Sequence, residues 1–194
     1  RLQRSVRIEN DANCFALSEA IDGAGRGFET VFGIILGTGV GGGLVASGKL
    51  LPGRLHIAGE WGHNPLEESG PMCYCGRRGC VETFLSGPGL SLDYERSGGA
   101  PSTSPEEFSA CAKIQDPISE QCLQRYLRRF GRALATVINV FDPHAIILGG
   151  GLSNLERLYS DGPERVTPHV FWDSFDTPIL KNQNGASACL LYTS

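Results

Sequence analysis

The run VFGIILGTGVGGGLVASGKLL, residues 31–51, decides the fold. Val31 to Leu36 is a short apolar, partly β-branched segment, the signal of a buried strand. Gly37-Thr38-Gly39-Val40-Gly41-Gly42-Gly43 follows as a glycine loop and formally contains G-x-G-x-x-G. A dinucleotide-binding Rossmann unit needs a helix directly after those glycines. Here Leu44-Val45-Ala46 and Lys49-Leu50-Leu51, turning at Ser47-Gly48, are strand-like instead. The Walker pattern fails too, since no Gly-Lys-Ser/Thr follows. What remains is a strand, a glycine loop and a returning strand. Bare glycine amides can turn inward together and cradle an anion, which suits the phosphates of ATP without a helix N-terminus. A tight hairpin with no ligand is the plainer alternative.

On the N-terminal side, Leu17, Ala20, Ile21 and Ala24 fall at helical spacing between Asp11 and about Ala24. Asn10 or Asp11 is placed to cap that helix, and Gly23, Gly25 and Gly27 to end it. On the C-terminal side, a long helix is expected from about Ile118 to Phe141. Its apolar stripe is Ile118, Cys122, Tyr126, Phe130, Leu134, Val137, Ile138 and Phe141, with Pro143 as the stop. Ala145 to Leu148 reads as a strand, followed by Gly149-Gly150-Gly151 and a helix from Ser153. Residues 97–105 (SGGAPSTSP) form a turn-rich loop. Mixed strands and helices predict an α/β fold.

Composition narrows the function. Hydrophobic residues at 41% and charged residues at 20% over 194 positions describe a globular chain of one domain or two small ones. Seventeen Lys plus Arg against 21 Asp plus Glu give a net charge of −4, so a nucleic-acid partner is not expected. No apolar run approaches the roughly 18 residues of a membrane helix, so no membrane partner is expected either. Seven cysteines without a leader segment argue against a disulfide framework and for a reducing, cytoplasmic setting.

Three of the cysteines crowd into eight residues, Cys73-x-Cys75-Gly76-x-x-Gly79-Cys80, and His63 lies ten residues before Cys73. Three thiolates and an imidazole complete a closed tetrahedral shell, so His63, Cys73, Cys75 and Cys80 are expected to bind a structural zinc ion with no catalytic water. The alternative is three reduced thiols and an unrelated histidine. Cys14, Cys111 and Cys122 sit on helical stretches and read as packing residues. His56, His144 and His169 read as surface or packing residues.

Glu60 stands three residues before His63, and Glu82 two after Cys80. Pinning His63 and Cys80 to one metal brings these acids near each other, where paired carboxylates suit the vicinal hydroxyls of a sugar. The second imidazole nitrogen of His63 would remain for a ligand. Asp11, after the strand-like Ser5-Val6-Arg7-Ile8 and at a helix start, occupies a usual place for an α/β active site. Glu67, Glu68, Glu106 and Glu107 read as solvated charges or caps.

Ile8-Glu9-Asn10-Asp11-Ala12-Asn13, LGTGVGGG (36–43), Gly59-Glu60-Trp61-Gly62-His63, CYCGRRGCVE (73–82) and LGGGLSN (148–154) together resemble the ROK family of repressors, open reading frames and sugar kinases. The likeness runs from Ile8 to Ser187. GEWGHNPL (59–66) followed by CYCGRRGCVETFLSG (73–87) looks most like the fructokinase/mannokinase branch; the N-acetylglucosamine kinase branch typically has Phe at the Trp61 position. The resemblance implies an actin-like, ribonuclease H-like ATPase fold of two lobes, with a zinc-binding loop. It implies that Asp11 is the catalytic base and that Asn10, Glu60, His63 and Glu82 hold the hexose. Gly37, Thr38, Gly39, Val40, Gly41, Gly42 and Gly43 would hold the phosphates of ATP, with Gly149, Gly150 and Gly151 near the adenosine and Mg²⁺ accompanying the nucleotide. The family often forms dimers, so a homodimer is an expectation.

The expected reaction is transfer from ATP to the 6-hydroxyl of fructose or mannose. The alternatives are an N-acetylglucosamine or glucose kinase, and a sugar-responsive repressor of the same family. Residues 1–9 are expected to end a truncated first lobe, whose Asp-x-Gly-Gly-Thr phosphate loop is absent, and residues 10–188 to form the larger lobe. Asn184-Gly185-Ala186 departs from the family's His-Gly-Asp, and the last family helix is missing. Residues 189–194 resemble a translated sequencing adapter and are expected to be non-native. Without the first lobe and the last helix, this piece alone should be inactive.

Overall fold

A computed structural model describes residues 9–101 and 116–184. Its centre is a five-stranded sheet in the order β3-β2-β1-β4-β5. The strands are β1 (Thr30–Leu36), β2 (Val40–Ala46), β3 (Lys49–Leu50), β4 (Ala145–Gly149) and β5 (Ile179–Lys181). β1 and β2 form an antiparallel hairpin from Thr30↔Ala46 to Leu36↔Val40. β2 turns into β3 at Ser47 and Gly48, both with positive φ, the backbone a two-residue hairpin of this twist requires. β4 runs parallel to β1, and β5 parallel to β4.

Side chains alternate across this sheet, so each strand feeds two cores. Phe32, Ile34 and Leu36 of β1, with Ile146 and Leu148 of β4, face the long helix; Val31, Ala145 and Ile147 face the first helix. That first helix, α1 (Asp11–Asp22), lies unusually close to the sheet because the residues beneath it lack side chains. A Cβ at Gly33 would meet Ala16 Cβ at 2.6 Å, one at Gly41 Ala12 Cβ at 2.9 Å, and one at Gly149 the Phe15 ring at 2.6 Å. α1 therefore buries Ala12, Phe15, Ala16 and Glu19. The face expected from spacing differs: Leu17, Ala20 and Ala24 pack only at its margin, and Ile21 is exposed. Spacing alone favours the large apolar residues, whereas the glycine floor selects the small ones.

On the opposite face, α2 (Glu82–Leu85) and α3 (Gly87–Arg96) lead toward α4 (Pro117–Phe141). The expected stripe holds along α4: Cys122, Tyr126, Phe130, Leu134 and Ile138 are buried, each Leu or Phe contributing about 1.5–3 kcal/mol of burial. Asp116 caps its start by accepting from Ser119 N, and that bond holds the carboxyl below its ordinary range. Asp142, at φ 48°, ends it. After β4, a helix expected from Ser153 is instead a 3₁₀ turn over Gly151–Asn154, followed by two short helices, α5 (Arg157–Ser160) and α6 (Gly162–Val166).

One buried acid ties the ends of this layer together. The Glu19 carboxylate accepts from Ala24 N at 2.8 Å, Gln183 N at 3.1 Å and Asn184 N at 2.7 Å, pinning the segment after β5 to α1. The expected strand at 5–8, Cys111, Glu106, Glu107 and the tail at 189–194 lie outside the described residues.

Candidate functional site

The expected seven-residue glycine loop is a three-residue turn. Val40 to Gly43 belong to β2, so only Gly37, Thr38 and Gly39 stand clear of the ladder. Gly41, Gly42 and Gly43 each have a packing reason to be glycine. A Cβ at Gly43 would meet Ala16 Cβ at 2.8 Å and Ala12 O at 2.9 Å; one at Gly42 would meet Gly59 O and Trp61 Cδ1, both at 2.8 Å. Gly37 has nothing nearer than Ile35 Cγ2 at 3.9 Å. The next parallel strand delivers Gly149 and Gly150 to the same edge. Gly150 takes φ +84° because a Cβ would strike Leu36 O, so the C-terminal ends of β1 and β4 touch. In open α/β sheets that is where ligands bind.

Three further segments converge on the turn. At the start of α1, Asn10 Oδ1 accepts from Ala12 N and Asn13 N at 2.8 and 3.2 Å, as the cap expected of it, while its amide donates to Glu60 Oε1 at 3.4 Å. Asp11 is exposed, with Oδ1 accepting from Ala12 N at 2.8 Å. Glu60 precedes a 3₁₀ turn over Trp61–His63. Trp61 is buried against Phe32, and its indole donates to Gly41 O at 3.2 Å. From the other side, Glu82 Oε2 accepts from Val40 N at 2.9 Å, and Gly87 N donates to Gly37 O at 2.7 Å. The turn is therefore clamped by the segment that follows Cys80.

Glu9 and Asn13 are additions that spacing did not single out. Glu9 Oε1 accepts from Asn13 Nδ2 and Asn10 N, both at 3.0 Å, and these two bonds hold its carboxyl below the ordinary range. Together they fix the chain on either side of Asp11.

His63, Cys73, Cys75 and Cys80 meet, with all four donor atoms within 4.8 Å of one another. Cys73 Sγ lies 3.5 Å from His63 Nδ1, and Cys75 Sγ 3.6 Å from Cys80 Sγ. Edges of roughly 3.5–3.8 Å are what a tetrahedron built on metal–ligand bonds of about 2.0–2.3 Å requires. Gly76 and Gly79 turn the loop with φ of +87° and +64°, and a Cβ at Gly79 would collide with Glu67 O. Without a metal, burial and the neighbouring Cys75 and Cys73 thiols push the Cys80 thiol up to about 12, while the Arg77 backbone N–H holds Cys75 below its ordinary value. His63 Nε2 points away from the cysteines and meets the Tyr74 hydroxyl at 2.8 Å.

A cleft of about 560 Å³ opens beside His63, between Ile57, Arg77 and Val140. Glu60, Trp61 and His63 line it and Asn10, Asp11 and Glu82 do not, so the cleft adjoins the convergence just described on the Glu60–His63 side. Among the described residues, no helix is long and apolar enough to cross a membrane.

A mixed sheet of this order, with strand ends closing on a glycine turn, is that of the actin-like ATPase fold. The chain belongs to the ROK family, whose model matches residues 1–191. It is 39% identical over 197 residues to the N-acetyl-D-glucosamine kinase of Vibrio cholerae, covering 96% of this chain and 65% of that protein. It superposes with a TM-score of 0.85 on a ROK family glucokinase from Streptomyces griseus solved with glucose and AMPPNP (30% identical, 96% of this chain, 66% of that one). A ROK family transcriptional regulator superposes with a TM-score of 0.80 (28% identical, 93% and 48%). The chain thus spans less than two thirds of the Vibrio cholerae relative.

The expected place beside the fructokinase/mannokinase branch finds no support in the Vibrio cholerae relative, which is an N-acetyl-D-glucosamine kinase. Trp61, which carried that likeness, is 3% exposed and anchors the floor of the hairpin.

Proposed function

We propose that the protein carrying this chain is an ATP-dependent hexose kinase acting on N-acetylglucosamine or glucose rather than fructose, with residues 10–188 supplying the larger of two lobes. The observation that carries the reading is the double clamp around the glycine turn: Asn10 reaching Glu60 from α1, and Glu82 reaching Val40 N from the cysteine loop. It draws an exposed aspartate, two carboxylates and an imidazole toward one sheet edge. The sugar is held by Asn10, Glu60, His63 and Glu82. Asp11 takes the proton of the attacking hydroxyl as that oxygen bonds to the γ-phosphorus; the bond to the bridging oxygen breaks and ADP leaves. Val40 N–H is held by Glu82 and Gly37 N–H by Gly39 O, so the backbone amides of Thr38 and Gly39 face the phosphates, and Gly149 to Gly151 flank the nucleotide. Most of the acceleration comes from alignment and charge stabilisation. A Mg²⁺ ion arriving with ATP would supply charge neutralisation on the phosphates. The Cys/His donor set fits a structural zinc, which would hold His63 and Glu82 at a fixed separation.

A sugar-responsive regulator needs neither a base nor a phosphate turn, so Asp11 and Gly37–Val40 favour the kinase. Coupled ADP release by the complete protein, tested across N-acetylglucosamine, glucose, mannose and fructose, decides. We expect the highest kcat/KM with N-acetylglucosamine; no ADP from any hexose refutes the kinase, and a fructose preference refutes the sugar. In the same assay Asp11→Asn should lose about 10²–10⁴-fold in kcat while still binding sugar. Near-normal turnover would remove Asp11 from the role.

A further inference from the structure

Tyr74 sits between two clustered cysteines and is 83% exposed, free to extend into water. It folds back instead. Its hydroxyl lies 2.8 Å from His63 Nε2, and its ring meets the imidazole edge-on, centroids 5.0 Å apart at 87°. Nδ1 of the same imidazole faces Cys73 Sγ, so a metal there takes the Nδ1 lone pair. Nε2 then carries the ring proton and donates it to the tyrosine oxygen.

The position has the chemistry of a carbohydrate hydroxyl: an oxygen accepting from an imidazole N–H. We propose that the Tyr74 hydroxyl holds the place of a sugar hydroxyl on His63 Nε2, and that a hexose binds by displacing it, which makes Tyr74 an affinity-setting residue. The inference rests on the reading of Glu60, His63 and Glu82 as the sugar-holding groups. Displacement costs the protein one hydrogen bond, and the released side chain enters water it already faces.

The test is calorimetric titration of the complete protein with N-acetylglucosamine and with glucose, without nucleotide, comparing wild type with Tyr74→Phe. The variant keeps the ring against the imidazole and removes only the competing oxygen. It should bind sugar roughly two- to tenfold tighter, the fold change of one net neutral hydrogen bond, with metal content unchanged. Equal or weaker binding overturns the proposal, as does a sugar-bound structure with the tyrosine oxygen still on Nε2. ADP release from the same preparations separates the two claims. Tighter binding without turnover refutes the kinase and keeps the displacement. Turnover with unchanged affinity keeps the kinase and refutes the displacement. A wild type that binds no hexose refutes both.

Discussion

The loop from His63 to Cys80 and the hairpin from Thr30 to Ala46 are both punctuated by glycine, yet they are held in opposite ways. In the loop, four side chains converge within 4.8 Å, Gly76 allows the backbone to turn between them, and Gly79 both turns it and makes room for Glu67 O. In the hairpin, the missing side chains themselves are the contact: Gly33, Gly41 and Gly43 let α1 settle onto the strands, and Gly42 admits Trp61 from the other face. The loop is organised chiefly by what its residues add, the hairpin by what they leave out. The two meet at Glu82 and Val40, so the loop's order is passed to the turn.

The largest effect should follow from breaking the loop. Cys80→Ser in the complete protein removes one donor from a fully buried position. We expect loss of about one equivalent of bound zinc, measured by elemental analysis, and a stability loss of about 3–5 kcal/mol in denaturant unfolding. A wild type that is fully stable and metal-free after purification in zinc would show that four thiol and imidazole donors pack without an ion. The sign with pH is also set. Cys80 is pushed up to about 12 when no metal is present, so it binds its proton at neutral pH and must release it to ligate. Metal affinity should therefore rise with pH, and fall as acid competes for the sulfur.

The hairpin is sharpened by two substitutions that separate its glycines. Gly43→Ala places a methyl 2.9 Å from Ala12 O and 3.0 Å from Asn13 Cα, backbone atoms that cannot swing aside. Overpacking of this kind should cost about 1–3 kcal/mol. Gly37→Ala meets nothing nearer than 3.9 Å and should stay within about 0.5 kcal/mol of wild type. Its effect should fall on nucleotide affinity, read by titration with a non-hydrolysable ATP analogue. If Gly43→Ala is neutral in stability and Gly37→Ala is not, the division between packing and turn glycines is wrong.

This division explains which parts were legible beforehand. The strand at Val31, the turn at Ser47-Gly48, the stripe along α4 and the Cys/His spacing are local patterns, and the structure follows them. Gly41, Gly42 and Gly43 read as loop because glycine is a weak strand former, and nothing within seven residues announces a helix lying on top of them. The buried face of α1 departs from its spacing for the same reason, since Ala12 and Ala16 become core only against that glycine floor. Glu19 reaches Asn184 across 165 positions and Tyr74 doubles back on His63; neither leaves a periodic trace.

The smallest expected effect is the one that tests the proposed sugar. Trp61 distinguishes two family branches by identity, yet its indole is spent on Gly41 O at 3.2 Å and on the edge of Phe32. Trp61→Phe keeps the aromatic contact and loses the hydrogen bond, so a cost of about 1 kcal/mol is expected in unfolding. The ratio of kcat/KM for N-acetylglucosamine over fructose should stay within twofold, because the side chain faces the hairpin floor and Glu60 and His63 on either side keep their backbone. A tenfold change in that ratio would mean that residue 61 acts on the sugar through the position of Glu60. The packing explanation would then give way to a specificity role transmitted along the 3₁₀ turn.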